Sequence, residues 1–188
     1  MTHALGSRIV IVGTYGAGKS TLAARLGAHL GFPVHHLDAS RWQAGWALKP
    51  RGDWLRELDA HLAEPAWIVD GNFEATLDRR LAACDTVIFL DFPVLASAWR
   101  VVRRRLSRAS RPDLPDGLVE RPNLRLVRLL LDYHRSGRPT IAALVSAHRP
   151  GTKVIVLRGR DEVDELTRSV AASAAQREPS ESDSRRHA

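Results

Sequence analysis

The segment Gly13-Thr14-Tyr15-Gly16-Ala17-Gly18-Lys19-Ser20 places two glycines five residues apart, then a lysine and a hydroxyl. That spacing suits one task, the cradling of a polyphosphate. Glycines let the backbone curl until successive N–H groups, those of Tyr15 and Ala17 included, point inward at phosphate oxygens. A helix starting at the lysine adds positive partial charge at the same spot. Lys19 then reaches the terminal phosphates, the Ser20 hydroxyl ligates Mg²⁺, and Thr21 holds phosphate or caps the turn.

Magnesium also asks for a carboxylate, and in open parallel sheets ligands gather at the C-terminal strand ends. Asp38, Asp70 and Asp91 each follow a short apolar run. Asp70, in Trp67-Ile68-Val69-Asp70-Gly71, is the first choice for the metal. His35 and His36 are neighbours in an extended run, so they face opposite ways and cannot together grip one ion; packing is their expected role. Cys84 stands alone and cannot form an internal disulfide, which makes it a buried structural thiol. Neither a Gly-x-Ser-x-Gly elbow nor an H-E-x-x-H pair is present, so serine-hydrolase and zincin chemistry have no support.

The elements that must hold these residues follow from periodicity. Strands are expected at Arg8–Val12, Pro33–Leu37, Trp67–Val69, Thr86–Leu90 and Lys153–Leu157. Helical patterns fall near 18–30, 52–63, 74–82, 93–108, 122–135, 139–148 and 161–175. Alternation of short β-branched runs with longer helices predicts an α/β fold with a parallel sheet. With 188 residues the chain suits one domain, expected over 1–175. Residues 109–122, rich in Pro, read as an irregular excursion, and 176–188 as a disordered tail.

The net charge of +7 is local. Residues 98–138 carry 11 Arg against four acidic residues, while the remainder holds 17 of each sign. Arg100, Arg104 and Arg108 recur at helical i+4 spacing, and Arg111 follows them. Without interposed acids they repel one another unless an anion neutralises them. Three readings compete: a solvated basic helix, a nucleic-acid contact, and a clamp of Arg104, Arg108 and Arg111 closing over phosphate. Stacking on nucleic acid needs interleaved aromatics, and the stretch offers only Trp99 and Tyr133, so the clamp is preferred. No apolar run spans a bilayer and no signal-peptide pattern opens the chain, so a cytoplasmic protein without membrane partners is expected.

Beyond the phosphate loop, the runs His36-Leu37-Asp38, Trp42 to Trp46, Trp67 to Phe73, Thr86 to Pro93, Arg103 to Leu106 and Arg111-Pro112-Asp113 resemble the bacterial DNA-topology-modulation proteins, which are adenylate-kinase-like P-loop NTPases. The resemblance covers about residues 7–170. With the wider relatives, adenylate and shikimate kinases, it implies a three-layer sandwich around a five-stranded sheet of order 2-3-1-4-5, with an Arg-rich lid about 109–122. It also implies Asp38 at the acceptor hydroxyl and Arg158 near the adenine. Asp70-Gly71 resembles an adenylate-kinase pair, but Asn72-Phe73-Glu74 stands where that family has Phe-Pro-Arg. The expected activity is transfer of the γ-phosphoryl group of ATP·Mg²⁺ to a small acceptor. The alternatives are a nucleoside monophosphate kinase and a nucleotide-binding regulator that contacts DNA.

Overall fold

Five consecutive apolar residues, Ile9 to Gly13 with only the last lacking a side chain, are fully buried on β1 (Arg8–Gly13). Burial on both faces is what a central parallel strand requires. The computed structural model describes residues 5–43, 47–93, 133–147 and 151–176. In chain order, α1 (Lys19–Leu30), β2 (Val34–His36), the short α2 (Leu37–Arg41), β3 (Trp42–Gln43), β4 (Ala47–Leu48), α3 (Arg51–Leu62) and β5 (Trp67–Asp70) follow β1. Then come α4 (Leu77–Ala83), β6 (Thr86–Leu90), α5 (Arg138–Ser146), β7 (Lys153–Leu157) and α6 (Arg160–Ala175).

The main sheet runs β2-β5-β1-β6-β7, and every pairing in it is parallel. Counting the strands of this sheet alone, the order is the expected 2-3-1-4-5. The labels differ because the antiparallel pair β3–β4 intervenes.

Alternation along the strands builds two cores. Val10, Val12, Trp67, Val69, Val87 and Phe89 face Trp54 and Leu58 of α3, Leu77 and Leu81 of α4, and Ile141 and Val145 of α5. Ile9, Ile11, Ile68, Ile88 and Ile155 face Leu22 and Leu26 of α1 and Leu166 and Val170 of α6. The result is helix, sheet, helix in three layers, as the alternating pattern implies.

Departures from expectation are local. Leu37 closes no strand; it opens α2. The helix expected over 74–82 is a 3₁₀ turn, Glu74–Thr76, followed by α4. Thr76 explains the break: its Oγ1 donates to Phe73 O at 3.0 Å, a local bond that competes with regular helix. The β3–β4 pair has two residues per strand, too short to show a period. Tyr133–Gly137 makes a π-helical turn that runs into α5. The helices expected over 93–108 and 122–135, the excursion 109–122 and the tail from 177 lie almost wholly outside the described residues.

Candidate active site

β1 ends on Gly13, where φ is 143° and a Cβ would lie 2.3 Å from the carbonyl oxygen of Leu90. No other residue fits so close to β6. Thr14 then ties the loop to that strand: its N–H donates to Leu90 O at 3.0 Å and its Oγ1 to Phe92 O at 3.2 Å. Gly16 and Gly18 are left-handed, with φ of 77° and 96°, and Gly18 occupies the N-cap of α1. A glycine offers no side-chain oxygen to the first amides of the helix, so α1 turns its positive end toward the loop.

Lys19 is the first residue of α1 and is buried. Its Nζ donates to Gly13 O at 3.0 Å and Thr14 O at 3.3 Å, and lies 5.2 Å from the centre of the Tyr15 ring. The ammonium is therefore folded against the loop that a phosphate would enter. Ser20 is half-buried beside it, and Thr21 is exposed on the first turn.

On the neighbouring strand, parallel register sets Asp70 beside Ile11. Asp70 is buried, and its Oδ1 lies 2.7 Å from Nδ1 of His36, its register partner on β2. The chain then leaves β5 along the phosphate loop. Gly71 N–H donates to Ile11 O at 3.2 Å, and Asn72 Oδ1 accepts from Gly13 N–H at 3.0 Å.

Arg80 holds this crossing from beneath. Fully buried, it donates to Gly71 O at 2.7 Å, Asn72 O at 2.6 Å and Phe73 O at 3.1 Å. Burial pushes its guanidinium down to about 10, with Asp70 opposing the shift, so the group stays cationic at neutral pH.

Asp38 sits in the first turn of α2, directly after β2. Its charge is felt at the loop: burial raises the Tyr15 phenol, and the carboxylates of Asp38 and Glu74 raise it further. Asp91, at the end of β6, receives two bonds from Arg138 at the start of α5, Nε at 2.6 Å and Nη2 at 2.8 Å. Tyr133 packs edge-on against Tyr15, ring centres 5.4 Å apart. Burial pushes the Tyr133 phenol up as well.

The structure thus brings together the loop Gly13–Ser20, Asp70 and the Asp38 turn, all at the C-terminal ends of adjacent parallel strands. Arg158 lies past the far edge strand β7, its N–H on Glu162 Oε2 at 2.7 Å. Arg104, Arg108, Arg111 and Trp46 fall outside the described residues.

Sequence reasoning missed four participants. Arg80 looks like any helix-surface arginine; its burial becomes visible only once α4 packs on the sheet. Asn72 was noted as a departure from a family pattern, not as the acceptor for the loop's first amide. The Asp91–Arg138 pair spans 47 positions and leaves no local trace. His36, expected to pack, holds Asp70 instead, because the register of β2 on β5 sets the two side by side, and that register leaves no local trace.

A donor-rich loop carrying one lysine, faced by buried and half-buried carboxylates, can bind a polyphosphate and its metal on one side and a hydroxylated group on the other. Among the described residues no helix is long and apolar enough to cross a membrane. Neither a protein-family model nor a curated protein matches the sequence.

Solved structures do. A gluconokinase from Sinorhizobium meliloti 1021 superposes with a TM-score of 0.51 at 16% identity, over 93% of this chain and 94% of that one. Shikimate kinase from Acinetobacter baumannii, in complex with shikimate, gives 0.53 at 18% identity, over 89% and 94%. Shikimate kinase from Bacteroides thetaiotaomicron gives 0.51 at 14%, over 90% and 98%. At such identities the likeness is one of fold alone, a three-layer sandwich around a five-stranded parallel sheet.

Proposed function

We propose that the protein is a kinase that transfers the γ-phosphoryl group of ATP, bound as its Mg²⁺ complex, to a small hydroxylated acceptor. The observation that carries this reading is the position of Lys19 within the Gly13–Ser20 loop, alongside the strand that ends on Asp70. The residues present fit the nucleotide: left-handed glycines at 16 and 18 and an uncapped helix start leave amides for phosphate oxygens.

Backbone N–H groups of Tyr15, Gly16 and Gly18, with Thr21, cradle the phosphates, and Lys19 pairs with their terminal oxygens; Gly13 and Ala17 shape the loop instead, their own N–H groups donating to Asn72 Oδ1 at 3.0 Å and Thr14 O at 3.1 Å. Ser20 and Asp70 hold Mg²⁺, directly or through water. When bound, Mg²⁺·ATP supplies the transferable group and offsets the charge that builds as it moves. Asp38 orients the acceptor hydroxyl and takes its proton; for a phosphate acceptor it positions only. Arg104, Arg108 and Arg111 clamp from a lid about 109–122 of a single domain spanning 1–175, and Arg158 lies toward the base. In this reading the protein works in the cytoplasm and is related to the DNA-topology-modulation proteins by its sequence runs.

Fold neighbours that are named gluconokinase and shikimate kinase support a hydroxylated small-molecule acceptor. The absence of an arginine directly after Gly71-Asn72-Phe73 weighs against a nucleoside monophosphate. Purified protein with labelled ATP and Mg²⁺ should label one of a panel of hydroxylated metabolites and leave nucleoside monophosphates untouched. Transfer to a monophosphate would make it an adenylate-type kinase. No transfer to any acceptor, together with salt-dependent DNA binding that survives Lys19→Ala, would overturn the proposal in favour of a DNA-contacting regulator.

A further inference from the structure

His35 and His36 part company at the sheet edge. His36 turns to Asp70, while His35 pairs in register with Val69, whose side chain belongs to the face covered by α3. There the His35 ring stacks on His61, in the last turn of α3, with centres 3.6 Å apart and planes 21° from parallel. Just beyond that helix, Glu64 N–H donates to His61 O at 3.2 Å, a tight turn that folds the glutamate back over the histidine.

The Glu64 carboxylate bridges the two rings. One oxygen lies 2.9 Å from His61 Nδ1 and the other 3.5 Å from His35 Nε2. All three donor atoms fall within 4.8 Å of one another. Donors at adjacent corners of a tetrahedral zinc site, with bonds near 2.05 Å, stand about 3.3 Å apart. Nε2 of His35 is buried and, among the described residues, finds no good hydrogen-bond partner, the Glu64 carboxylate standing 3.5 Å away.

We propose that His35, His61 and Glu64 form a binding site for a divalent transition cation of the zinc class, joining edge strand β2 to the end of α3. Two imidazoles and one carboxylate are a donor set that selects Zn²⁺ and its neighbours over Mg²⁺ and Ca²⁺. The fourth position is left to water. For both lone pairs to converge, the stacked rings open by rotation about their Cβ–Cγ bonds, a soft torsion for histidine. The site is separate from the phosphate loop, and its existence does not depend on the kinase reading.

The test is calorimetric titration of the metal-stripped full-length chain with Zn²⁺, under excess Mg²⁺ to occupy the phosphate-loop side. The expected result is one ion bound per chain and a rise in melting temperature. His61→Asn and Glu64→Gln should each weaken binding by at least about tenfold and abolish the thermal shift. Circular dichroism shows whether each variant is folded, and the milder Glu64→Gln serves if His61→Asn is not. The Co²⁺-loaded protein should show the visible bands of a four-coordinate ion, lost in the same variants. Equal Zn²⁺ affinity in wild type and both variants would overturn the proposal. So would loss of binding in His36→Asn with none in Glu64→Gln, which would move the ion to the Asp70 side, and so would failure of the wild type to bind.

Discussion

His36 Nδ1 stands 2.7 Å from Oδ1 of Asp70, across two parallel strands in register. In the kinase reading Asp70 serves Mg²⁺, and a carboxylate held by an imidazole is fixed in orientation before the ion arrives. Replacing the imidazole should therefore change how the metal is used before it changes the fold. His36→Asn is expected to raise the Mg²⁺ concentration for half-maximal transfer about tenfold, while the KM for ATP at saturating Mg²⁺ stays close to wild type. An unchanged Mg²⁺ profile would remove Asp70 from the metal.

Lys19 bonds to two carbonyls of its own loop, so Lys19→Ala should leave the fold standing. Lys19→Ala is expected to lower phosphoryl transfer by about 100- to 1000-fold, the scale of one lost electrostatic donor. A fluorescent ATP analogue should bind correspondingly weakly. Wild-type transfer in this variant would sink the assignment of the loop.

Arg80 and Arg79 are adjacent and opposite in consequence. Arg80→Met strands the carbonyls of Gly71, Asn72 and Phe73, which should cost about 3 kcal/mol. Among the described residues Arg79 reaches the exposed Asp59, at 3.0 Å, and Arg79→Ala should stay within about 0.5 kcal/mol of wild type. Urea unfolding of the two variants decides it, and equal midpoints would contradict the buried clamp.

Cys84 carries a pH signature. Burial pushes its thiol up to about 11 from an ordinary 9.0, and the buried phenols of Tyr15 and Tyr133 are raised too. The folded chain then holds protons that the unfolded chain has released, so stability is complete below about pH 9 and falls as pH rises toward 11. Melting temperatures stepped through that range should drop, and Cys84→Ala should make the slope shallower. Identical slopes in the two proteins would show that the thiol ionises as readily folded as unfolded.

Much of the frame was legible along the chain. The runs from Thr86 and Lys153 become β6 and β7 with the expected limits: β6 is buried along its whole length, and β7, at the sheet edge, is half-buried but keeps the β-branched run Val154-Ile155-Val156. The phosphate loop was legible for a similar reason: its work is done by backbone amides within eight consecutive residues, and the glycines that permit the curl stand in the sequence itself. Where a side chain competes with the backbone, as Thr76 does, or where strands are two residues long, periodicity carried no usable signal.

The sequence by itself determined the parallel α/β architecture, the phosphate loop and the acidic strand ends, since each rests on contacts between near neighbours or on burial that repeats with a period. Tertiary structure decided the rest. Whether His36 would meet Asp70 depended on the register of β2 on β5, and whether Arg80 would be buried depended on how α4 lies on the sheet. His35 and His61 could stack only after β2 and the end of α3 had come together. Such contacts join residues on different elements, in the histidine cases tens of positions apart, and side-chain chemistry of that kind is set by packing geometry, which no local pattern encodes.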